Sequence, residues 1–165
     1  MSSSKNKLWI FSEVFYPDET STGYILTELS KGLTQDYQVT VITELGDNSY
    51  GVKASRSNDL KGIEIVRCKS FKLNKNNLYQ RILKLLGTSF YFVKFFLLKV
   101  KKNDKVIIVT NPAIALLFFA FFNRFKKARI TLIVHDVFPE NLVAVNILKN
   151  GILFKSIKSL FDKAY

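Results

Sequence analysis

The sequence predicts an α/β domain whose parallel sheet is covered by helices on both faces. Three observations carry that expectation. Strand-like and helix-like segments alternate along the chain, as they do where parallel strands are joined by crossover helices. The strand-like runs are continuously apolar rather than alternating, which marks strands buried on both faces. The chain has 165 residues, 48% of them hydrophobic. That is about one domain with enough apolar residues for a core, and too hydrophobic for a disordered chain.

Each element follows from its local pattern. Lys7–Phe15 reads as a buried first strand on Leu8, Trp9, Ile10, Phe11 and Val14. Thr22–Thr34 reads as a helix, with Tyr24, Ile25, Leu26, Leu29 and Leu33 apolar at helical spacing. Tyr37–Thr43 is a strand on Val39, Val41 and Ile42. Glu44–Lys61 is polar and glycine-containing and reads as a long mobile loop, a class that is often functional. Gly62–Ser70 is a strand and Leu78–Lys102 a long helix. Asp104–Thr110 is a strand, turned at Asn111-Pro112 into the helix Ala113–Lys127, and Arg129–Val134 is the next strand. Glu140–Leu148 and Ile152–Ala164 read as helices divided by Asn150-Gly151, a helix-ending signal. The sheet therefore has about five strands in one domain spanning residues 1–165.

Charge is unevenly spread. Residues 1–64 carry six Lys/Arg against nine Asp/Glu, and residues 65–165 carry nineteen against four. From Ile65 to Asn103 there are ten basic residues and no acidic one. A one-sign block attracts polyanions, either nucleic acid or anionic lipid. No nucleic-acid motif accompanies it, so nucleic acid is not expected as a partner. Within Leu78–Lys102 the wheel puts Arg81, Lys84 and Lys94 in one half with Tyr91 and Phe95. Leu86, Phe90, Val93 and Phe96 fall in the other half, which is expected to pack on the sheet. The first half is read as facing an anionic membrane. An ordinary soluble face, with Lys and Arg stems covering apolar surface, is the competing expectation. Ala113–Phe122 is apolar for ten residues, too short to span a bilayer, and reads as a buried core helix. After Met1–Lys7 the apolar run is short and meets Glu13, so no secretory signal is read and a cytosolic setting is expected.

Several chemistries find no support. The single cysteine, Cys68, allows neither a disulfide framework nor a cysteine zinc site, and reads as a small buried strand residue. No glycine pattern matches a dinucleotide fingerprint or a P-loop. The single histidine, His135, with Asp136 and Glu140 lacks the usual set of metal ligands, so no metal is expected. No serine sits in a nucleophile-elbow pattern. What remains are two polar loops at strand ends, where open α/β sheets place ligands. One is Tyr16-Pro17-Asp18-Glu19-Thr20-Ser21-Thr22-Gly23, and the other is His135-Asp136-Val137-Phe138-Pro139-Glu140. In the first, Gly23 either lets backbone approach a phosphate or sugar at a helix start or forms a simple tight turn. In the second, Glu140 either binds ligand or, behind Pro139, favours the first turn of a helix.

These loops resemble those of family 4 retaining glycosyltransferases, enzymes of the two-domain GT-B fold. The run Phe15-Tyr16-Pro17 through Gly23 looks like that family's first loop, Tyr24–Leu33 its first helix and Tyr37–Thr43 its second strand. Thr110-Asn111-Pro112 and His135–Glu140 are similar to the subgroup acting in colanic acid, O-antigen and capsule assembly. The resemblance implies a Rossmann-like domain forming the acceptor side of the enzyme. It implies transfer of a sugar from a nucleotide-sugar donor to a lipid-linked saccharide at the inner face of the cell membrane, with no other cofactor. It implies His135 and Asp136 at the reacting sugar, and Pro17, Thr22, Gly23, Asn111 and Glu140 lining the substrate. No pair of glutamates has the seven-residue separation of the family's donor domain. The chain is accordingly expected to be an amino-terminal piece whose partner is a donor-binding domain, in cis or as a separate chain. The alternative is a non-catalytic membrane-recruiting subunit that needs such a partner.

Overall fold

The structure, a computed structural model, describes residues 5–44, 60–68, 78–140 and 151–163. Five strands, β1 (Asn6–Phe11), β2 (Tyr37–Glu44), β3 (Ile63–Cys68), β4 (Lys105–Val109) and β5 (Arg129–Ile133), form one sheet. Every pairing is parallel, and the order is β3-β2-β1-β4-β5. The helices are α1 (Ser21–Leu33), α2 (Leu78–Lys99), α3 (Ala113–Lys126) and α4 (Ile152–Asp162). The expected α/β fold is the observed one, a Rossmann-like domain. Most of the polar segment expected as a long loop, and the expected helix after Glu140, lie outside the described residues.

Topology and side-chain parity set the layers. The step from β1 to β2 runs one way across the sheet, and the steps β3 to β4 and β4 to β5 run the other. Right-handed crossovers then place α1 on one face and α2 with α3 on the opposite face. Leu8, Ile10, Val39, Val41, Ile63 and Val109 form the first face and meet Leu26 of α1. Residues of the other parity, including Trp9, Phe11, Ile42, Val106 and Ile108, meet Phe92 and Phe96 of α2 and Phe119 of α3. Phe11 is the centre of that second core, with ring centroids 5.7 Å from Phe92, 6.4 Å from Phe96 and 5.1 Å from Phe119.

Helix ends have identifiable causes. Thr20 caps α1 by accepting from the Gly23 amide at 3.0 Å. The buried face of α1 is Gly23, Leu26, Thr27 and Ser30, so small residues let the helix lie close to the sheet. The Thr27 and Ser30 hydroxyls donate to carbonyls one turn back, at 2.7 and 2.6 Å, and so need no partner in the sheet. Helix α2 stops at Lys99, and Asn103 follows in the left-handed region at φ 67°. The Lys126 ammonium of α3 donates to the Leu97 and Val100 carbonyls, 3.0 Å away at Val100, and satisfies that helix end. Gly62, at φ 84°, makes the turn into β3, a conformation that strains other residues.

Helix α2 corrects the wheel derived from sequence. Phe92 and Phe96 are buried, and Tyr91 and Phe95 pack half-buried against the same core. Phe90 and Leu86, expected to face the sheet, are 68% and 46% exposed. Helix α3 is likewise only partly core: Ala115, Leu116 and Phe119 are buried, while Phe118, Phe121 and Phe125 are exposed. No helix among the described residues is long and apolar enough to cross a membrane.

Candidate functional site

The direction of the strand order reverses between β1 and β4. Ligands of open α/β sheets bind at such a switch point, outside the carboxyl ends of the strands. Here the loop after β1 and the turn after β4 flank it. The turn after β5 is fixed to the same place by one buried hydroxyl. Thr110, 3% exposed, accepts from the His135 amide at 3.1 Å and the Asp136 amide at 3.3 Å. Its own amide donates to the Ile133 carbonyl at 3.1 Å. The backbone of the His135-Asp136 turn is thus held while both side chains stand exposed. Neither side chain has a hydrogen-bond or ion-pair partner among the described residues. A neutral imidazole can donate and accept, and a carboxylate accepts. Two such groups, exposed on a held turn, can hydrogen-bond a polar ligand.

The β1 loop is built mainly on itself. The Asp18 and Thr20 amides donate to the Phe15 and Asp18 carbonyls, each at 2.9 Å. Phe15 is buried, Pro17 and Thr22 are half-buried and Gly23 is buried. A Cβ on Gly23 would lie 2.7 Å from the Asp18 carbonyl oxygen and 3.0 Å from the Thr20 hydroxyl. The space that glycine leaves is therefore filled by its own loop, and its amide is already taken by Thr20. That geometry is a tight turn. Asn111 is exposed in the turn after β4, and Pro112 behind it is buried.

Glu140 is engaged elsewhere. Its carboxylate pairs with Lys158 of α4, which also lies 3.5 Å from Asp162. The Lys158 hydrogen bond is the main cause that lowers the Glu140 carboxyl pKa. Phe138 and Phe161 stack with centroids 4.8 Å apart, so the segment after the His135-Asp136 turn is joined to α4 by a ring pair and an ion pair.

A second polar cluster closes the β2 side of the same edge. Glu44, 4% exposed, lies on the α2 face at the end of β2. Lys84 places its ammonium 3.0 Å from Glu44 and 3.4 Å from Glu13, and the Thr88 hydroxyl donates to Glu44. Burial alone would lower the Lys84 pKa; the Glu44 and Glu13 carboxylates outweigh it and raise it. Lys84 therefore neutralises two carboxylates of this chain, whereas Lys94 is exposed. The Arg81 side chain lies outside the described residues. On the α1 face, Arg67 of β3 donates to the Tyr16 carbonyl at 2.5 Å and ties the β1 loop to the sheet edge. The anchoring role of the Thr110 hydroxyl, the Glu13–Lys84–Glu44 cluster and the Arg67 tie escaped the sequence reading, which had Lys84 facing an anionic membrane. The available signal was a polar residue ending an apolar strand; Lys84 carried none, because its partners are distant in sequence.

Fold and edge together define a Rossmann-like domain, with the exposed His135 and Asp136 side chains at its switch point. No family model matches the chain. The chain is similar to probable glycosyltransferase WbjE of Pseudomonas aeruginosa, 29% identical over 161 residues. The similarity covers 96% of the chain and 39% of that protein, so the chain spans about two-fifths of its relative's length.

Proposed function

We propose that the chain is the amino-terminal, acceptor-side part of a family 4, GT-B-type glycosyltransferase. In this reading the whole enzyme, of which the chain is one part, transfers a sugar from a nucleotide sugar to a lipid-linked saccharide during surface polysaccharide synthesis. The observation that carries the proposal is the similarity to a probable glycosyltransferase along 96% of the chain. The held turn at Thr110 agrees with it, because transfer between two saccharides needs hydroxyl-binding groups at fixed positions beside an open crevice. His135 takes a hydrogen bond from, or gives one to, a hydroxyl of the reacting sugars. Asp136 accepts from the acceptor hydroxyl that attacks the donor. Asn111, exposed beside them, adds an amide that can donate and accept. Pro17 of the β1 loop and Thr22 at the start of α1 lie on the other side of the switch point, with Gly23 fixing the turn there. The donor is held by a second, donor-binding domain, in cis or as a separate chain.

The test is sugar transfer by this chain combined with a donor-binding domain, using nucleotide sugars and polyprenyl-linked saccharides. His135→Ala and Asp136→Ala should each lower kcat by roughly 10²-fold or more, the usual scale for a positioned acid or base. Full activity in both variants would remove the proposed site.

A further inference from the structure

We propose that the outer surface of the α2–α3 layer docks on an anionic membrane. Both helices run against the strand direction on one face of the sheet, and so run parallel to each other and pack side by side. The Lys126 bonds to the Leu97 and Val100 carbonyls bring their carboxyl ends level. The buried residues face the sheet, which leaves two apolar rows facing away from it. On α2 these are Leu86, Phe90 and Leu98, and on α3 they are Phe118, Phe121 and Phe125. Exposure reaches 68% at Phe90, 69% at Leu98 and 75% at Phe125. Phe121 meets Phe125 edge-on at 6.0 Å, and Phe118 lies one turn before Phe121 on the same side of α3. Contiguous exposed apolar surface on a soluble domain marks an interaction site.

Charge selects the occupant. Between Leu78 and His135 there are eleven Lys/Arg and one acid, Asp104. Asp104 is occupied by the Trp9 indole and the Lys101 amide, each at 2.9 Å. Lys94 and Arg124 stand exposed on the outer sides of the two helices, with no acidic residue on either helix to pair them. A second copy docked face to face would oppose like charges without any carboxylate between them. An anionic lipid surface matches both features, taking apolar rings into the headgroup boundary and attracting the basic residues beside them. Two parallel helices also present a broad, low surface suited to a plane. The proposal deepens the proposed function, since a lipid-linked acceptor would be met at such a surface, but it is measured without any sugar and can fail separately.

The experiment is co-sedimentation of the 165-residue chain with vesicles of phosphatidylcholine, alone or with one-third phosphatidylglycerol. Binding should prefer the anionic vesicles and weaken as salt rises from about 0.1 M to 1 M, where the Debye length falls from about 10 Å to about 3 Å. The double variant Lys94→Gln, Arg124→Gln should lose roughly 25-fold at low salt, about fivefold per charge. Phe118→Ser, Phe121→Ser, Phe125→Ser together should lose roughly tenfold or more at either salt concentration. Circular dichroism checks that each variant is folded; should the phenylalanine variant unfold, the charge variant and the vesicle comparison decide. No binding, equal binding to neutral and anionic vesicles, or wild-type binding by the charge variant would overturn the proposal. So would a dimer in sedimentation that the folded phenylalanine variant abolishes and that does not bind vesicles, which would give the face to a second copy.

Discussion

Single positions at the sheet's carboxyl edge have roles that depend on one or two atoms. Gly23 has no room for a side chain, because the Asp18 carbonyl is where its Cβ would be. Gly23→Ala should therefore destabilise by about 1–3 kcal/mol, the usual cost of overpacking. Urea denaturation reads this directly, and an unchanged midpoint would mean that the β1 loop moves freely. Cys68 is buried beside Glu44, and burial first, then that carboxylate, pushes its thiol up to about 11. Below the ordinary thiol value of 9.0 the group is protonated in both states and contributes no pH dependence. Above it the unfolded chain releases a proton that the folded chain keeps. Stability should then fall with rising pH by about 1.4 kcal/mol per unit, until the folded thiol itself ionises. Denaturation midpoints of wild type and Cys68→Ala between pH 8 and pH 11 test this; parallel curves would show that the thiol is not held back.

At the scale of elements, α2 shows where periodicity stops being informative. It has no acidic residue and carries apolar or aromatic side chains around its whole circumference. A wheel built from its basic residues put Phe90 inside and Tyr91 outside, and the fold has them the other way round. The buried side chains are those that meet Phe11 from β1 and Phe119 from α3. Phe92→Ala should cost about 3–5 kcal/mol, as large-to-small changes in packed aromatic cores do. Phe90→Ala should stay within about 0.5 kcal/mol, as at other exposed positions. Thermal unfolding of the two variants separates these orientations, and equal losses would contradict the helix rotation described above. Helix α1 teaches the same lesson: Tyr24 and Ile25 are exposed, while Thr27 and Ser30 are buried by bonding their hydroxyls to their own helix.

At the scale of the whole molecule, the described residues form a polar edge at the carboxyl ends of the strands and a helical face with exposed apolar and basic side chains. The chain is two-fifths as long as the probable glycosyltransferase it resembles. Under the proposed function the nucleotide sugar is bound by a donor domain supplied in cis or by a separate chain. The expected outcome is that the purified 165-residue chain shows no turnover of any nucleotide sugar, measured as release of free nucleotide with and without acceptor. Steady release would place a complete donor site within these residues and overturn the division between two domains.

The order of strands and helices, the parallel sheet and its two covered faces were legible in the chain, because continuous apolar runs and punctuating turns are local properties. Strand and helix ends were legible to within a few residues; β1 stops at Phe11, short of the expected Phe15. There the Ser12 hydroxyl turns to the Val14 carbonyl and the chain leaves the sheet. Position of the two candidate loops at one sheet edge was also legible, since parallel strands all point the same way. Only the tertiary structure decided which side of α2 and α3 is buried, because both helices have apolar residues enough for either. It alone joined Lys84 to Glu13 and Glu44, and the Thr110 hydroxyl to the His135-Asp136 turn. Those partners are 25 to 71 residues apart in sequence, and no local pattern encodes a contact that exists only after the strands have paired.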